Sequence, residues 1–360
     1  MQATLFSVGD PVPWFHCRTR LRERFYFDNV AGRYVVLSFF ESAGDPGTRG
    51  FLAEIHAARQ HFNDNHLSFF GVSTDPDDEK QGRIEDELPG VRYFWDFDRA
   101  VSRRYGVLDG DGRVRATTYL LDPTLRVLAV IPPTVPVEER AQALIRHLDD
   151  LPALPSTHPA TEHAPVIVVP RVFEPSLCEA LIRYYEEQGG TESGFMVEQD
   201  GKTIEVSDHA HKRRRDCFVQ DQQLTDACTR RIRRRLVPEI AKAFQFRVTR
   251  LERLLVACYD SAEGGHFRPH RDNTTRGTAH RRFAVSLFLN SGEYEGGFLR
   301  FPEYGNALYS APTGGAVVFS CSLLHQATAV TSGRRYMFLP FLYDEAAHLV
   351  REENRQYLVS

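Results

Sequence analysis

Cysteine is scarce in this 360-residue chain: the six (Cys17, Cys178, Cys217, Cys228, Cys258 and Cys321) are scattered and include no CxxC pair. That spacing excludes a zinc ribbon and a disulfide frame, and it points to reduced thiols and a cytoplasmic setting. No apolar run reaches the roughly 18 to 20 residues that a membrane span needs, so no membrane partner is expected. The opening MQATLFSVGDPVPWF lacks both a basic n-region and a long apolar h-region, so no secretory signal is expected. An excess of charge is missing too. Lys plus Arg total 44 against 48 Asp plus Glu, a net charge of -4 that gives no global drive toward nucleic acid. What is present is ordinary globular material, 42% hydrophobic and 26% charged, and the length suits two domains of about 150 to 200 residues.

The two halves follow different patterns. Over 1–150, β-rich runs at 35–40 (VVLSFF), 67–72, 91–97, 117–121 and 127–131 alternate with helical stretches near 50–63, 77–88, 100–105 and 137–148. Such alternation predicts an α/β layer fold with crossover connections. Residues 151–165, LPALPSTHPATEHAP, hold four prolines and little apolar periodicity, which predicts an extended linker. After helical stretches at 175–188 and 224–244, the region from Arg250 onward turns into short β runs with Gly-rich turns, the pattern of a sandwich or barrel.

The chemistry concentrates in this second half. His270 and Asp272 stand two apart in GGHFRPHRDN, so on an extended chain both point to one face. An HxD alone is weak, because a chain with 14 histidines shows one by chance. His325 follows the buried-looking run VVFS and can return a second imidazole, completing a two-histidine, one-carboxylate facial triad suited to non-haem iron(II). Ten residues further, Arg335 lies in the β run RRYMFLPFLY, where an unpaired guanidinium is costly unless it meets an anion. A bidentate grip on a carboxylate is its natural use. Metal triad and arginine together imply 2-oxoglutarate.

Residues 166–345 resemble the prolyl 4-hydroxylase-type branch of the iron(II)/2-oxoglutarate dioxygenases. The resemblance rests on Tyr259, Gly264, Phe267, His270 and Asp272, then Leu289-Asn290, Gly296-Gly297 through Phe301-Pro302, and His325 with Gly333-Arg334-Arg335. It implies a double-stranded β-helix (jelly roll) over 166–360, with Fe(II), 2-oxoglutarate and O2 as cofactors and co-substrates and ascorbate as an accompanying reductant. It also implies that His270, Asp272 and His325 bind iron and Arg335 pairs with the distal carboxylate of 2-oxoglutarate. Tyr259 falls where relatives hydrogen-bond that carboxylate, and Leu299 falls on the pocket wall. Phe288 occupies a position where some relatives carry a co-substrate-binding Tyr, so that hold is expected to be looser. Arg334 competes with Arg335, and strand alternation lets only one of them face the interior. The implied reaction is hydroxylation of an unactivated C–H with release of succinate and carbon dioxide. The branch acts on prolyl and other peptidyl residues, on amino-acid-like compounds and on small metabolites.

Residues 1–150 resemble the peroxiredoxin/thioredoxin-like superfamily through VGDPVPWF, YVVLSFF, WDFDRAVSRRYGV and RATTYLLDPTLRVLAVI. Active relatives open the helix after the first central strand with a cysteine. Here that stretch reads ESAGDPGTRGF, and no cysteine lies between Cys17 and Cys178. Thr48 cannot substitute, because an alcohol does not ionise usefully at neutral pH. This half is expected to be silent as a peroxidase and to serve as a scaffold, a substrate-recruiting module or a homodimerisation surface. Two alternatives stand beside the hydroxylase: a redoxin-type module in which the iron site is regulatory, and an RNA-acting oxygenase. Asp208-His209-Ala210-His211 reads as a solvated loop, which the resemblance to the dioxygenases implies lies near the active-site mouth. The basic runs at 212–215 and 230–235 read as a solvated helix face or as steering for an acidic substrate, ahead of a nucleic-acid surface.

Overall fold

The computed structural model describes residues 4–157, 159 and 163–358. The chain divides into two compact units between residues 158 and 159. Of the expected linker, residues 158 and 160–162 lie outside the described residues. Its two ends are not free: Leu151 and Leu154 pack on the first unit's core, and Ala164 is buried in the second unit's core. No helix among the described residues is long and apolar enough to cross a membrane.

The first unit is a thioredoxin-like layer fold. Its seven-stranded sheet runs in the order Phe25–Tyr26, His16–Thr19, Val91–Trp95, Leu67–Ser73, Tyr34–Phe40, Thr117–Leu121, Val127–Ile131. The three central strands pair in parallel, and every residue of YVVLSFF is buried, as a strand covered on both faces requires. Separate apolar cores lie on the two faces. The helix Pro46–Ala57 starts where its sequence dictates, with Asp45 as N-cap, its carboxylate accepting from the Thr48 N–H, and Pro46 in the first turn. The helix expected over 77–88 stops early, at Pro76–Lys80. Gly82 then takes φ +61°, a left-handed conformation that breaks the helix, and polar content alone did not reveal the stop.

The second unit is a jelly roll. A nine-stranded sheet carries the strands Arg250–Glu252, Phe341–Tyr343, Phe283–Phe288, Arg334–Phe338, Leu255–Asp260, Arg215–Phe218 and Thr191–Glu192, with Ala316–Ser320 and Ile167–Val169 attached to Phe283–Phe288. A five-stranded sheet runs Lys212–Arg213, His266–His270, His325–Ala327, Leu299–Arg300, Leu308–Tyr309. The helix Pro175–Gln188 buries Leu177, Leu181 and Tyr185 on the large sheet's outer core. The basic helical stretch continues from Gln222 through a π-helical turn, Ile232–Leu236, to Phe244. Arg235 in that turn is buried, with its guanidinium donating to Glu174 and to the Val172 carbonyl, so the run 230–235 is not a uniformly solvated face.

Candidate metal centre and its cavity

His270 and His325 come from adjacent antiparallel strands of the small sheet and stand directly opposite each other in register. Asp272 follows two residues after His270, its backbone held by an N–H bond to the Cys321 carbonyl. The three side chains offer ligand atoms that all lie within 4.8 Å of one another. His270 Nε2 is 3.6 Å from Asp272 Oδ1, and His325 Nε2 is 3.4 Å from Asp272 Oδ2.

The imidazoles are oriented from behind. Nδ1 of His270 lies 2.8 Å from the Arg268 carbonyl, and Nδ1 of His325 lies 3.0 Å from the Leu323 carbonyl. A carbonyl only accepts, so each Nδ1 carries the proton and each Nε2 lone pair is left for a cation. Phe267 stacks on His270 at 3.5 Å between centroids, which further fixes that ring. Burial, reinforced by the nearby His270, pushes the His325 pKa down to about 4, so its imidazole is neutral at pH 7. For Asp272 burial alone would favour the neutral acid, but the two imidazoles outweigh it and hold the carboxyl well below the usual range. One carboxylate and two imidazoles whose Nε2 atoms face inward suit Fe(II) with coordination positions to spare.

A cavity of about 610 Å³ opens onto this triad, and Tyr259, Leu299, Phe319 and Ala327 form part of its lining. Behind it, Arg335 stands directly opposite Tyr259 on paired strands. Alternation turns Arg335 inward, 2% exposed, whereas Arg334 points out and pairs with Glu186 and Asp260. The Arg335 guanidinium lies 5.0 Å from the Tyr259 ring and 5.3 Å from the Phe288 ring, its Nε is buried without a partner, and no carboxylate meets it among the described residues. Gly297 makes room for it: at φ +63° this residue has no side chain, and a Cβ there would come within 2.6 Å of Arg335 Cδ. A buried cation without an anion is unstable by several kcal/mol, so Arg335 suits a carboxylate from outside; Tyr259, not Arg335 or Phe288, lines the cavity itself. Phe288 is fully buried and offers its ring face instead of a hydroxyl. Tyr259 accepts a 3.4 Å bond from Arg214 Nη1, which leaves its own O–H free to donate.

Residues 254–343 match the family model described as the 2OG-Fe(II) oxygenase superfamily, and residues 8–130 match the AhpC/TSA family. The chain joins an AhpC/TSA-type domain to a 2OG-Fe(II) oxygenase-type domain. The oxygenase family implies Fe(II), 2-oxoglutarate and O2, and the donor set and the orphaned Arg335 fit the first two. Among solved structures, the chain is similar to the peroxidoxin BcpB from Mycobacterium tuberculosis, with 23% identity and a TM-score of 0.36 over 41% of this chain and 99% of that one. It is also similar to a Trichoplax adhaerens prolyl hydroxylase, solved with a hypoxia-inducible factor peptide, with 16% identity and a TM-score of 0.39 over 51% and 86% of the two chains. A viral collagen prolyl hydroxylase from Paramecium bursaria Chlorella virus-1 shows 14% identity and a TM-score of 0.36 over 49% and 94%.

The AhpC/TSA-type domain has no thiol at its helix start. Thr48 sits there, and Cys17 is buried on an outer strand, donating to the Trp95 carbonyl at 3.3 Å with its pKa pushed up to about 12 by burial. Such a thiol is inert.

Sequence reasoning missed part of the oxygenase cavity. Lys212, Arg214, Asp216, Arg253 and Arg281 line it. Lys212 and Arg214 are buried, which corrects the reading of 212–215 as a solvated face. His211 also lines the cavity, tilted against Phe195 and edge-on to Phe267, so the expected solvated loop 208–211 gives one ring to the site. The i,i+2 spacing of Arg214 and Asp216 was the available signal. Arg253 gave none.

Proposed function

We propose that the oxygenase-type domain is an Fe(II)- and 2-oxoglutarate-dependent dioxygenase that hydroxylates an unactivated C–H of a prolyl, peptidyl or amino-acid-like substrate. The observation that carries this reading is the pairing of the triad with a buried guanidinium that lacks an anion of its own. Bound Fe(II) would couple the oxidative decarboxylation of 2-oxoglutarate to hydroxylation, one atom of O2 entering succinate and the other the new hydroxyl.

The chain's own residues do the positioning. His270 and His325 present Nε2 because backbone carbonyls hold their Nδ1 protons. Asp272 stays ionised and supplies the charge that retains a divalent ion. Arg335 takes the distal carboxylate of 2-oxoglutarate in a bidentate grip, and Tyr259 donates its hydroxyl to the same group. Leu299, Phe319 and Ala327 give the cavity an apolar wall that keeps water from the reacting centre.

Oxygen labelling tests the reading. Under 18O2, a proline-containing peptide substrate should gain one labelled hydroxyl while succinate gains one labelled oxygen per turnover. Product without label would reject the assignment.

A further inference from the structure

We infer that Arg253 is a substrate-specificity residue: its guanidinium binds a carboxylate of the primary substrate in the cavity beside the metal triad. The inference rests on the dioxygenase reading and adds a substrate class to it.

The acids near Arg253 are engaged by other groups, and Asp272 belongs to the metal triad. Asp216 is committed to Arg214, which grips it through Nε–Oδ1 at 2.7 Å and Nη2–Oδ2 at 2.6 Å. Ser193 also donates to that Oδ2, at 2.6 Å. Arg253 reaches the same oxygen only through Nη2 at 3.2 Å, as the third donor. Among the described residues no other hydrogen bond or ion pair holds Arg253, although a guanidinium has five N–H donors. The neighbouring acid, Glu252, is occupied by His280, Arg281 and Arg351. At the rim, Glu192 pairs with His209 and Glu205 accepts from the Gly194 N–H.

Two further observations point the same way. Arg253 has φ +59°, a left-handed conformation that costs a non-glycine residue about 1 kcal/mol or more and that the surrounding packing holds in place. Its side chain stays 26% exposed while lying between the rings of Phe218 and Phe341, 6.0 and 5.9 Å away. Burial and the nearby Arg214 and Arg281 push its pKa down to about 10, the mark of a cation among cations. An incoming carboxylate relieves that crowding and offers two accepting oxygens, whereas an amide of the same shape brings no charge and only one acceptor.

The test uses the full chain loaded with Fe(II) and saturating 2-oxoglutarate under anaerobic conditions, so that Arg335 is already occupied. Dissociation constants are measured by ligand-observed NMR for two pairs of probes. N-acetyl-proline against N-acetyl-prolinamide reads a terminal carboxylate, and acetyl-Pro-Glu-amide against acetyl-Pro-Gln-amide reads an acidic side chain. At least one acid should bind about tenfold more tightly than its amide, and the pair that responds identifies the source. Arg253→Gln should abolish the difference while Arg253→Lys keeps part of it. Should Arg253→Gln not fold, the wild-type difference must shrink as salt rises from about 0.05 to 0.5 M. Equal binding of acid and amide in both pairs, or a preference that survives in Arg253→Gln or ignores salt, overturns the inference. Retention of labelled 2-oxoglutarate is measured separately. Its loss with acid preference intact rejects the dioxygenase reading alone, and the converse rejects only the role of Arg253.

Discussion

Arg335 and Tyr259 face each other across two antiparallel strands, the guanidinium 5.0 Å from the phenol ring, and no acid among the described residues joins them. Replacing Arg335 with Met should therefore leave the unliganded protein as stable as before or more so, because it removes an unpaired buried charge. The same change should abolish stabilisation by 2-oxoglutarate, which in the wild type reaches about 2.7 kcal/mol at 100 times the dissociation constant. Arg334→Ala, on the exposed side, should cost less than about 1 kcal/mol and leave co-substrate binding unchanged. Thermal melts with and without 2-oxoglutarate separate these outcomes.

Metal binding should be lost with any one of the three converging side chains. The wild type is expected to hold a single Fe(II) per chain, and His270→Ala, Asp272→Ala and His325→Ala should each fall near zero at micromolar metal after dialysis. Elemental analysis gives the stoichiometry. Full occupancy in any of the three variants would show that the residue is not a ligand.

All six cysteines are buried, so the native chain should react slowly with a thiol reagent and release six equivalents only on unfolding. Thr48→Cys should add one rapidly reacting thiol at the start of the helix Pro46–Ala57, where Thr48 is only partly covered. Stopped-flow absorbance follows both. Peroxide turnover by the wild-type chain through the first unit would contradict the structure around Thr48.

Acid should weaken the second unit through Glu252. Burial alone would raise its pKa, but the His280 hydrogen bond and the Arg281 charge outweigh it and bring it from 4.5 down to about 2. A depressed carboxyl stabilises the fold above its unfolded pKa, and that contribution disappears as pH falls from about 4.5 to 2. By linkage it is on the order of 3 kcal/mol. Urea midpoints of wild type and Glu252→Gln should differ at pH 7 and converge near pH 2.

The convergence of His270, Asp272 and His325 and the burial of Arg335 were legible because most of their constraints are local in sequence. HxD on an extended segment puts two ligands on one face, and a charged residue inside an apolar strand run marks a buried cation. Alternation then separates Arg334 from Arg335 once the strand Arg334–Phe338 is known. What lay hidden was long-range. Arg253 reads as part of an unremarkable β run, and only its pairing with Asp216, 37 residues away, shows that the carboxylate is already taken. Lys212 and Arg214 looked solvated because a basic run is usually exposed. The fold instead turns both inward, Lys212 against Ser193 and Phe267 with its pKa pushed down to about 6 by burial and the nearby Arg214. The helix stop after Lys80 depends on one glycine's backbone angle, which composition does not encode.

The central claim is that two imidazoles, one carboxylate and a waiting guanidinium form a working oxygenase site. Succinate release is its most direct measure: the full chain with Fe(II), 2-oxoglutarate and O2 should produce succinate, and omission of any one component or the His270→Ala change should reduce it to background. Succinate formed at an unchanged rate by His270→Ala would contradict the account.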